Sequence, residues 1–310
     1  MKDIDIDILN RRFGAPGRIV FREGFAGYPN VVLANKYGSA EVALLGAAVL
    51  SYRPTGQSQV LFRPDRKDLE YNRGDAFHGG IPFCWPQFGS RFSKDLPQHG
   101  FARKTVFEVR ESEYTEEKTE IVLGLREDEA TMKMWPHKFD LEVRVSVTMK
   151  LNFSATTQNT GDEPFDFSCG FHPYFLLRER DGVTVRGLDG CAYTDASGET
   201  LVEGVQGGDI ALVKDYDHVF ALPPTPKHEF AVLDPGLRRA IAIASSGNGI
   251  AVVWNPGTAY VVADHSPDDW RKFVCVEPVS DWPGGRTLAP GEKYTIEAAV
   301  QASMEMHQGV

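Results

Sequence analysis

Cysteine is scarce in this 310-residue chain. Only Cys84, Cys169, Cys191 and Cys275 occur, with no CxxC pair and no zinc-type spacing. This excludes a local redox dithiol or zinc finger and leaves buried free thiols as the simple reading for three of them. The eight histidines make no HxH, HxxxH or HExxH pattern, so a local metal signature is missing. There is no Walker A loop and no GxSxG elbow, and Gly247 and Gly249 start a GxG without a proper third glycine. Long apolar runs are absent: the longest, 42–50, falls short of the roughly 20 residues that span a bilayer. The start, MKDIDIDILNRR, is charged and lacks the apolar stretch of a secretory signal. The expectation is a cytoplasmic protein in reducing surroundings, with mobile ends at this charged start and at MEMHQGV. Net positive charge is lacking too. At −10 the chain is a poor nucleic-acid binder, because that binding rests on neutralising phosphates.

What is present points to β structure. Thirty glycines, 19 prolines, 19 phenylalanines, ten tyrosines and five tryptophans suit many turns and flat packing surfaces. Short period-2 segments are separated by Gly, Pro, Asn and Asp, without repeats or a low-complexity linker. In 141–154, Leu141, Val143, Val145, Val147, Met149, Leu151 and Phe153 alternate with polar residues, which predicts one long strand with one dry face. A turn follows at 159–162. Residues 165–175 alternate again, with Phe165, Phe167, Cys169, Phe171, Pro173 and Phe175 on one face and Ser168, Gly170, His172 and Tyr174 on the other. Further strands are expected at 121–125, 241–244, 250–254, 272–278 and 294–301. Helix signals are weak. One turn is expected within 264–272, with Asp264 or Ser266 as cap. With no composition break, the chain reads as a single all-β domain, a large antiparallel β-sandwich with its core at about 38–301.

The densest chemistry lies between Arg53 and Arg103. Window 51–110 holds ten Lys and Arg against six Asp and Glu, a local excess of +4 in an acidic chain. Such a patch suits a small anionic ligand, with a plain solvated face equally compatible. His172 stands on the polar face of its strand. Glu277 shares its strand face with Phe273 and Cys275, and a partly buried carboxylate is costly unless paired or used. Together the two would make a general acid–base pair, although their separation in sequence cannot show that they meet.

Seven segments occur in order: HGGIPFCWPQFG (78–89), LPQHGFAR (96–103), FHPYF (171–175), YDHVF (216–220), VVWNPG (252–257), VCVEPV (274–279) and LAPGEKY (288–294). Taken together they resemble the hexose-6-phosphate mutarotases of the aldose-1-epimerase, or galactose-mutarotase-like, group. The resemblance covers most of the chain. It implies a supersandwich fold with the site on a concave sheet face, and a small sugar phosphate as the partner. With no exposed apolar helix or heptad in the sequence to suggest an obligate partner chain, a monomer is the expectation. No metal or organic cofactor is implied. His172 would be the acid and Glu277 the base. Gln98, Arg103, His99 and Asp217 would hold the substrate, and Asp264 would reach sugar hydroxyls. Trp85, Phe101 or Tyr174 would stack on a sugar face, with core packing an equal alternative for each. One departure concerns the first motif, where the family commonly has Arg-Gly-Gly-Ile-Pro. Here His78 replaces the phosphate-binding arginine and its bidentate fork. Arg53, Arg91 and Lys94 are candidates to compensate. The alternatives are an epimerase of neutral aldoses such as glucose or galactose, a non-catalytic sugar-phosphate binder, and a structural protein that kept the fold.

Overall fold

Two large antiparallel sheets pack face to face in the computed structural model, which describes residues 4–24, 27–65, 75–90, 93–198, 200–213, 215–281 and 284–304. The nine-stranded sheet runs, from edge to edge, through Ile210–Ala211, Thr184–Arg186, His228–Asp234, Arg239–Ser246, Lys293–Ser303, Leu151–Asn159, Phe139–Val147, Thr119–Arg126 and Glu108–Tyr114. The eight-stranded sheet runs through Val202–Val205, Ala192–Asp195, Tyr216–Ala221, Ile250–Asn255, Phe273–Val279, Gly170–Phe171 and Phe83–Cys84, with Tyr174–Leu176 also on Phe273–Val279. A four-stranded meander, Ile19–Glu23 to Val49–Pro54, packs alongside.

Period-2 alternation explains the layering. Val143, Val145, Phe153, Ile241, Ile243 and Val300 of the larger sheet meet Phe171, Phe220, Val253, Val274 and Val276 of the smaller in one apolar cluster. Phe153 and Phe171 join the layers edge to face at 4.8 Å. The cluster begins at Ala15, well ahead of Gly38, and ends at Ala302. The smaller sheet then has an opposite face to dispose of, and its residues there include Asp217, Trp254, Cys275 and Glu277.

Several expectations are corrected. The long strand at 141–154 is a hairpin, Phe139–Val147 and Leu151–Asn159, and Met149 at its tip is exposed. Val147 pairs with Leu151 across the turn, an even step that keeps both side chains inward. The turn therefore leaves the alternation unbroken in the sequence. The turn at 159–162 is present, with the Asn159 side chain accepting the Gly161 N–H. The run at 165–175 divides into three short strands, because Pro173 has no N–H to continue a ladder and Phe165–Phe167 pairs elsewhere, with Arg286–Leu288.

The charged start is a helix, Ile6–Phe13. Asp5 caps the Ile8 N–H, Arg11 and Arg12 suit its last turn, and Ile6, Leu9 and Phe13 pack against the core. A second helix, Glu129–Met134, opens with an Asp128–Thr131 capping box. The turn expected within 264–272 is the 3-10 segment Asp269–Lys272. Neither Asp264 nor Ser266 caps it; instead Asp269 accepts the Ser266 N–H. MEMHQGV lies almost wholly outside the described residues. Among those residues no helix is long and apolar enough to cross a membrane.

Candidate active site

Two loops cover one end of the smaller sheet, and a buried tryptophan locks them together. Trp85 lies edge-on to Phe101 at 5.4 Å and Trp135 at 5.1 Å, with Phe139 at 4.5 Å. Gly100 passes so close that a Cβ there would stand 2.0 Å from the Trp85 carbonyl oxygen, and its φ of +69° favours glycine as well. Buried Gln87 donates to the carbonyls of Leu96 and Pro97 and accepts the Ser93 N–H. Gly89 and His99 are doubly tied: the His99 N–H donates to the Gly89 carbonyl at 2.7 Å, and the Gly89 N–H donates to His99 Nδ1 at 3.1 Å. With Nδ1 accepting, neutral His99 carries its proton on Nε2. Burial, with the Arg103 and His78 charges adding, lowers the His99 pKa to about 3. His99 is therefore a neutral ring at any working pH.

Beneath these loops is a cavity of about 460 Å³. His78, Gln98, His99, Arg103, His172, Asp217 and Glu277 all line it. Register explains how the two central residues meet. Gly170 pairs with Val279, and Tyr174 with Cys275. Continuing between those pairings places His172 opposite Glu277 on the same face. His172 Nδ1 lies 3.5 Å from Glu277 Oε1, yet it has no hydrogen-bond partner among the described residues, and neither does Glu277 Oε2. The His172 ring stacks on Tyr174 at 4.7 Å and 10° and meets the Trp254 edge at 5.5 Å. The His172 backbone N–H donates to the Pro82 carbonyl.

Burial dominates the electrostatics of this pair. It pushes the His172 pKa well below the histidine range, helped by His99 and Arg103. It pushes the Glu277 carboxyl well above the carboxylate range, with Asp217 adding repulsion. The pair therefore favours holding one proton in total, with neither group charged. Such a pair titrates as a unit.

Asp264 is not among the cavity-lining residues. It sits behind His78, accepting from the His78 backbone N–H at 3.0 Å and lying 2.8 Å from Nδ1. Burial pushes this carboxyl up, but the bonds and charge from His78 outweigh it and hold it below its ordinary value. His265 Nε2 meets the His78 carbonyl, 2.6 Å away. His78 thus has its Nδ1 and backbone committed, leaving Nε2 as its other ring nitrogen.

The basic excess of 51–110 does not form one patch. Arg110 pairs with Asp140 and Glu108, and Arg63 with Glu41. Arg53 and Lys94 do not line the cavity, and Arg91 lies outside the described residues. Arg103 does line it. Its Nη2 donates to the Gln98 carbonyl, while its buried Nε has no partner among the described residues. Trp85 and Phe101 belong to the core, so of the three expected stacking residues only Tyr174 reaches the cavity. Sequence reading missed Trp254 and Tyr260, which line it as well. Trp254 carried a readable signal, since it alternates with Val253 on the strand at 250–254 and lies in the VVWNPG segment. Among the described residues one group could hold a metal ion: His172, Cys275 and Glu277.

Comparisons with known proteins bear on the family. The family model described as aldose 1-epimerase matches residues 29–301. A protein of Cenchrus ciliaris provisionally named glucose-6-phosphate 1-epimerase is 30% identical over 277 residues, covering 85% of this chain and 81% of that one. A Salmonella typhimurium protein of the same provisional name is 32% identical, covering 80% and 82%. A crystal structure from Salmonella typhimurium, provisionally described as a mutarotase, superposes with a TM-score of 0.83 at 27% identity, covering 92% of this chain and 94% of that one. A family match over most of the length, on the expected supersandwich fold, establishes the chain as a member of the aldose 1-epimerase family, an isomerase.

Proposed function

We propose that the protein interconverts the α and β anomers of an aldohexose 6-phosphate, glucose 6-phosphate first among them, with His172 and Glu277 as the acid–base pair. The observation that carries the reading is the 3.5 Å approach of two buried, under-satisfied groups at the base of a sugar-sized cavity. Anomerisation moves protons on two oxygens bonded to the same carbon, so the groups that serve them must stand close together. The charge-separated form, with Glu277 ionised and His172 protonated, holds the same number of protons as the resting pair. In that form Glu277 takes the proton from the C1 hydroxyl as the C1 carbonyl forms. The bond from C1 to the ring oxygen breaks, and His172 protonates that oxygen. Rotation about C1–C2 and closure on the other face return both protons. Such positioned transfer contributes about 10²–10⁴-fold. Gln98, His99 and Asp217 hold hydroxyls, with His99 donating from Nε2. Tyr174 and Trp254 offer apolar surface to the sugar ring.

The unpartnered Nε of Arg103 supports a phosphate, as do the provisional names of the relatives. A second reading, an epimerase of unphosphorylated aldoses, is favoured by His78 in place of the family's arginine and by the Asp264 carboxylate directly behind it. Two-dimensional exchange NMR on glucose 6-phosphate, with glucose as control, separates the two. Faster exchange for the phosphate alone is the expected result. Faster exchange for glucose moves the protein to the neutral-sugar reading. No enhancement for either overturns both.

A further inference from the structure

The proposed anomerisation makes no use of one buried group, the Cys275 thiol. It stands two residues before Glu277 on the same strand face and pairs across to Tyr174, next to the position opposite His172. One ligand atom each from His172, Cys275 and Glu277 lie within 4.8 Å of one another, and all three residues are buried. The independent sign of an unfilled position is that His172 Nδ1 and Glu277 Oε2 have no hydrogen-bond partner among the described residues, in side chains whose residues are respectively 8% and 1% exposed.

We propose that this trio binds a single zinc-class divalent cation and that the ion shuts the site off. Imidazole nitrogen, thiolate and carboxylate are the donors that zinc and cobalt accept, and three protein ligands with an open fourth position is a common arrangement for such ions. Bonds of about 2.0–2.3 Å require the three donors to draw in from their present spacing. Side-chain rotation can supply this on strands whose register already puts them together. The open position faces the cavity and takes water. Binding displaces the thiol proton and any proton held by the pair, and the cation supplies the positive charge that lets two anionic ligands persist in a buried place. Magnesium and calcium, which take all-oxygen shells, are not accepted. An ion held by His172 Nδ1 and the Glu277 carboxylate removes both proton-transfer groups, so it competes with the sugar. That consequence rests on the proposed function; the binding itself does not.

The test begins with the chelator-treated protein titrated with Co²⁺. The expected result is a thiolate-to-cobalt charge-transfer band with tetrahedral visible bands, saturating at one ion per chain and erased by one equivalent of Zn²⁺. Cys275→Ser should lose the charge-transfer band and weaken Zn²⁺ binding by at least the roughly 10–100-fold typical of lost outer-sphere partners. It should keep anomerase activity while escaping Zn²⁺ inhibition, and Mg²⁺ should inhibit neither protein. Absence of the band in the wild type overturns the proposal without any variant having to fold. So does a band or Zn²⁺ affinity that Cys275→Ser or Cys275→Ala leaves unchanged. If the protein proves inactive on every sugar, the cobalt spectrum still decides the binding, so failure of the two ideas can be told apart.

Discussion

Two histidine–carboxylate pairs stand at the cavity, one facing into it and one reaching back behind its wall, and they are opposites. His78 and Asp264 approach to 2.8 Å, and Asp264 also accepts the His78 backbone N–H. Their hydrogen bonds hold the carboxyl below its ordinary pKa despite burial. His172 and Glu277 stand 3.5 Å apart with unpartnered atoms on both sides, and burial drives each toward its uncharged form. The same two kinds of group, imidazole and carboxylate, therefore yield a satisfied brace in one place and an under-satisfied pair, the proposed acid–base groups, in the other. The difference lies in what surrounds them. Asp264 is on a loop that can fold its carboxylate onto His78. Glu277 is held by a strand between two others, with Trp254, Tyr174 and Val252 close by, so no donor among the described residues reaches Oε2. A buried polar group without a partner costs about 1–3 kcal/mol. That cost is tolerable where substrate hydroxyls supply the partners.

The largest expected effect comes from breaking the proposed acid–base pair, His172 and Glu277. Glu277→Gln and His172→Ala should each reduce anomerisation by about 10²–10⁴-fold while the protein stays folded. Exchange NMR measures the rates and circular dichroism the fold. Near-wild-type rates in both variants would remove the acid–base assignment. The wild-type pH profile sharpens it. A pair that must hold one proton loses activity on the acid side when both groups are protonated, and on the alkaline side when neither is. Because His172 is depressed, the acid limb falls below the ordinary histidine value. Because Glu277 is raised, the alkaline limb lies above the ordinary carboxylate value. A single limb rising through the ordinary histidine value would contradict a shared proton.

This pair also marks how far the sequence could be read. The fold was legible because alternation over 151–159, 239–246 and 293–303 appears directly as dry and wet faces. The hairpin turn at Thr148, Met149 and Lys150 was not, since an even step leaves parity intact. The helix at Ile6–Phe13 carried a readable Asp5 cap and a spaced apolar set, masked by its charge. His172 and Glu277 could be named singly, but their meeting depends on an antiparallel register set by Gly170 with Val279 and Tyr174 with Cys275. Asp264 is singled out in the sequence only through the family resemblance, which directs it to sugar hydroxyls. Only the path of the 256–265 loop turns it toward His78 rather than toward a sugar.

Weakening the brace should have a middle-sized effect. Asp264→Asn keeps the shape but removes the charge that holds His78. Hydrogen bonds to charged groups are worth about 1.5–3 kcal/mol, and asparagine keeps part of that. The expected loss of unfolding free energy is therefore about 1–2 kcal/mol, read by urea titration. KM should rise more than kcat falls, because a displaced His78 disturbs binding and leaves the proton-transfer groups untouched. A kcat loss as large as that of Glu277→Gln would mean that Asp264 takes part in the chemistry and that the contrast between the pairs is false.

The smallest effect concerns stability rather than rate. Glu277 has a folded-state pKa raised above its unfolded value. Its protonated form is favourable in the fold, so this contribution is fully present below the unfolded pKa of about 4.3 and is lost as pH rises through the folded value. Above that unfolded value the unfolded chain gains free energy by ionising, while the folded protein keeps the proton. Glu277→Gln abolishes this cost. Its thermal midpoint should thus match the wild type near pH 4 and exceed it by a few degrees at pH 8, at about 2–4 °C per kcal/mol for a large domain. The inactive variant would be the more stable one, as expected where a site keeps an under-satisfied group for function. Asp264→Asn should differ in sign. Because Asp264 has a depressed pKa, its stabilising contribution is present above the unfolded carboxylate value and lost as pH falls, so the variant is less stable at pH 8 and approaches the wild type in acid. Parallel melting curves across pH therefore test both pairs at once. Midpoints that move in the same direction for the two variants would show that burial and bonding do not divide them as the geometry indicates.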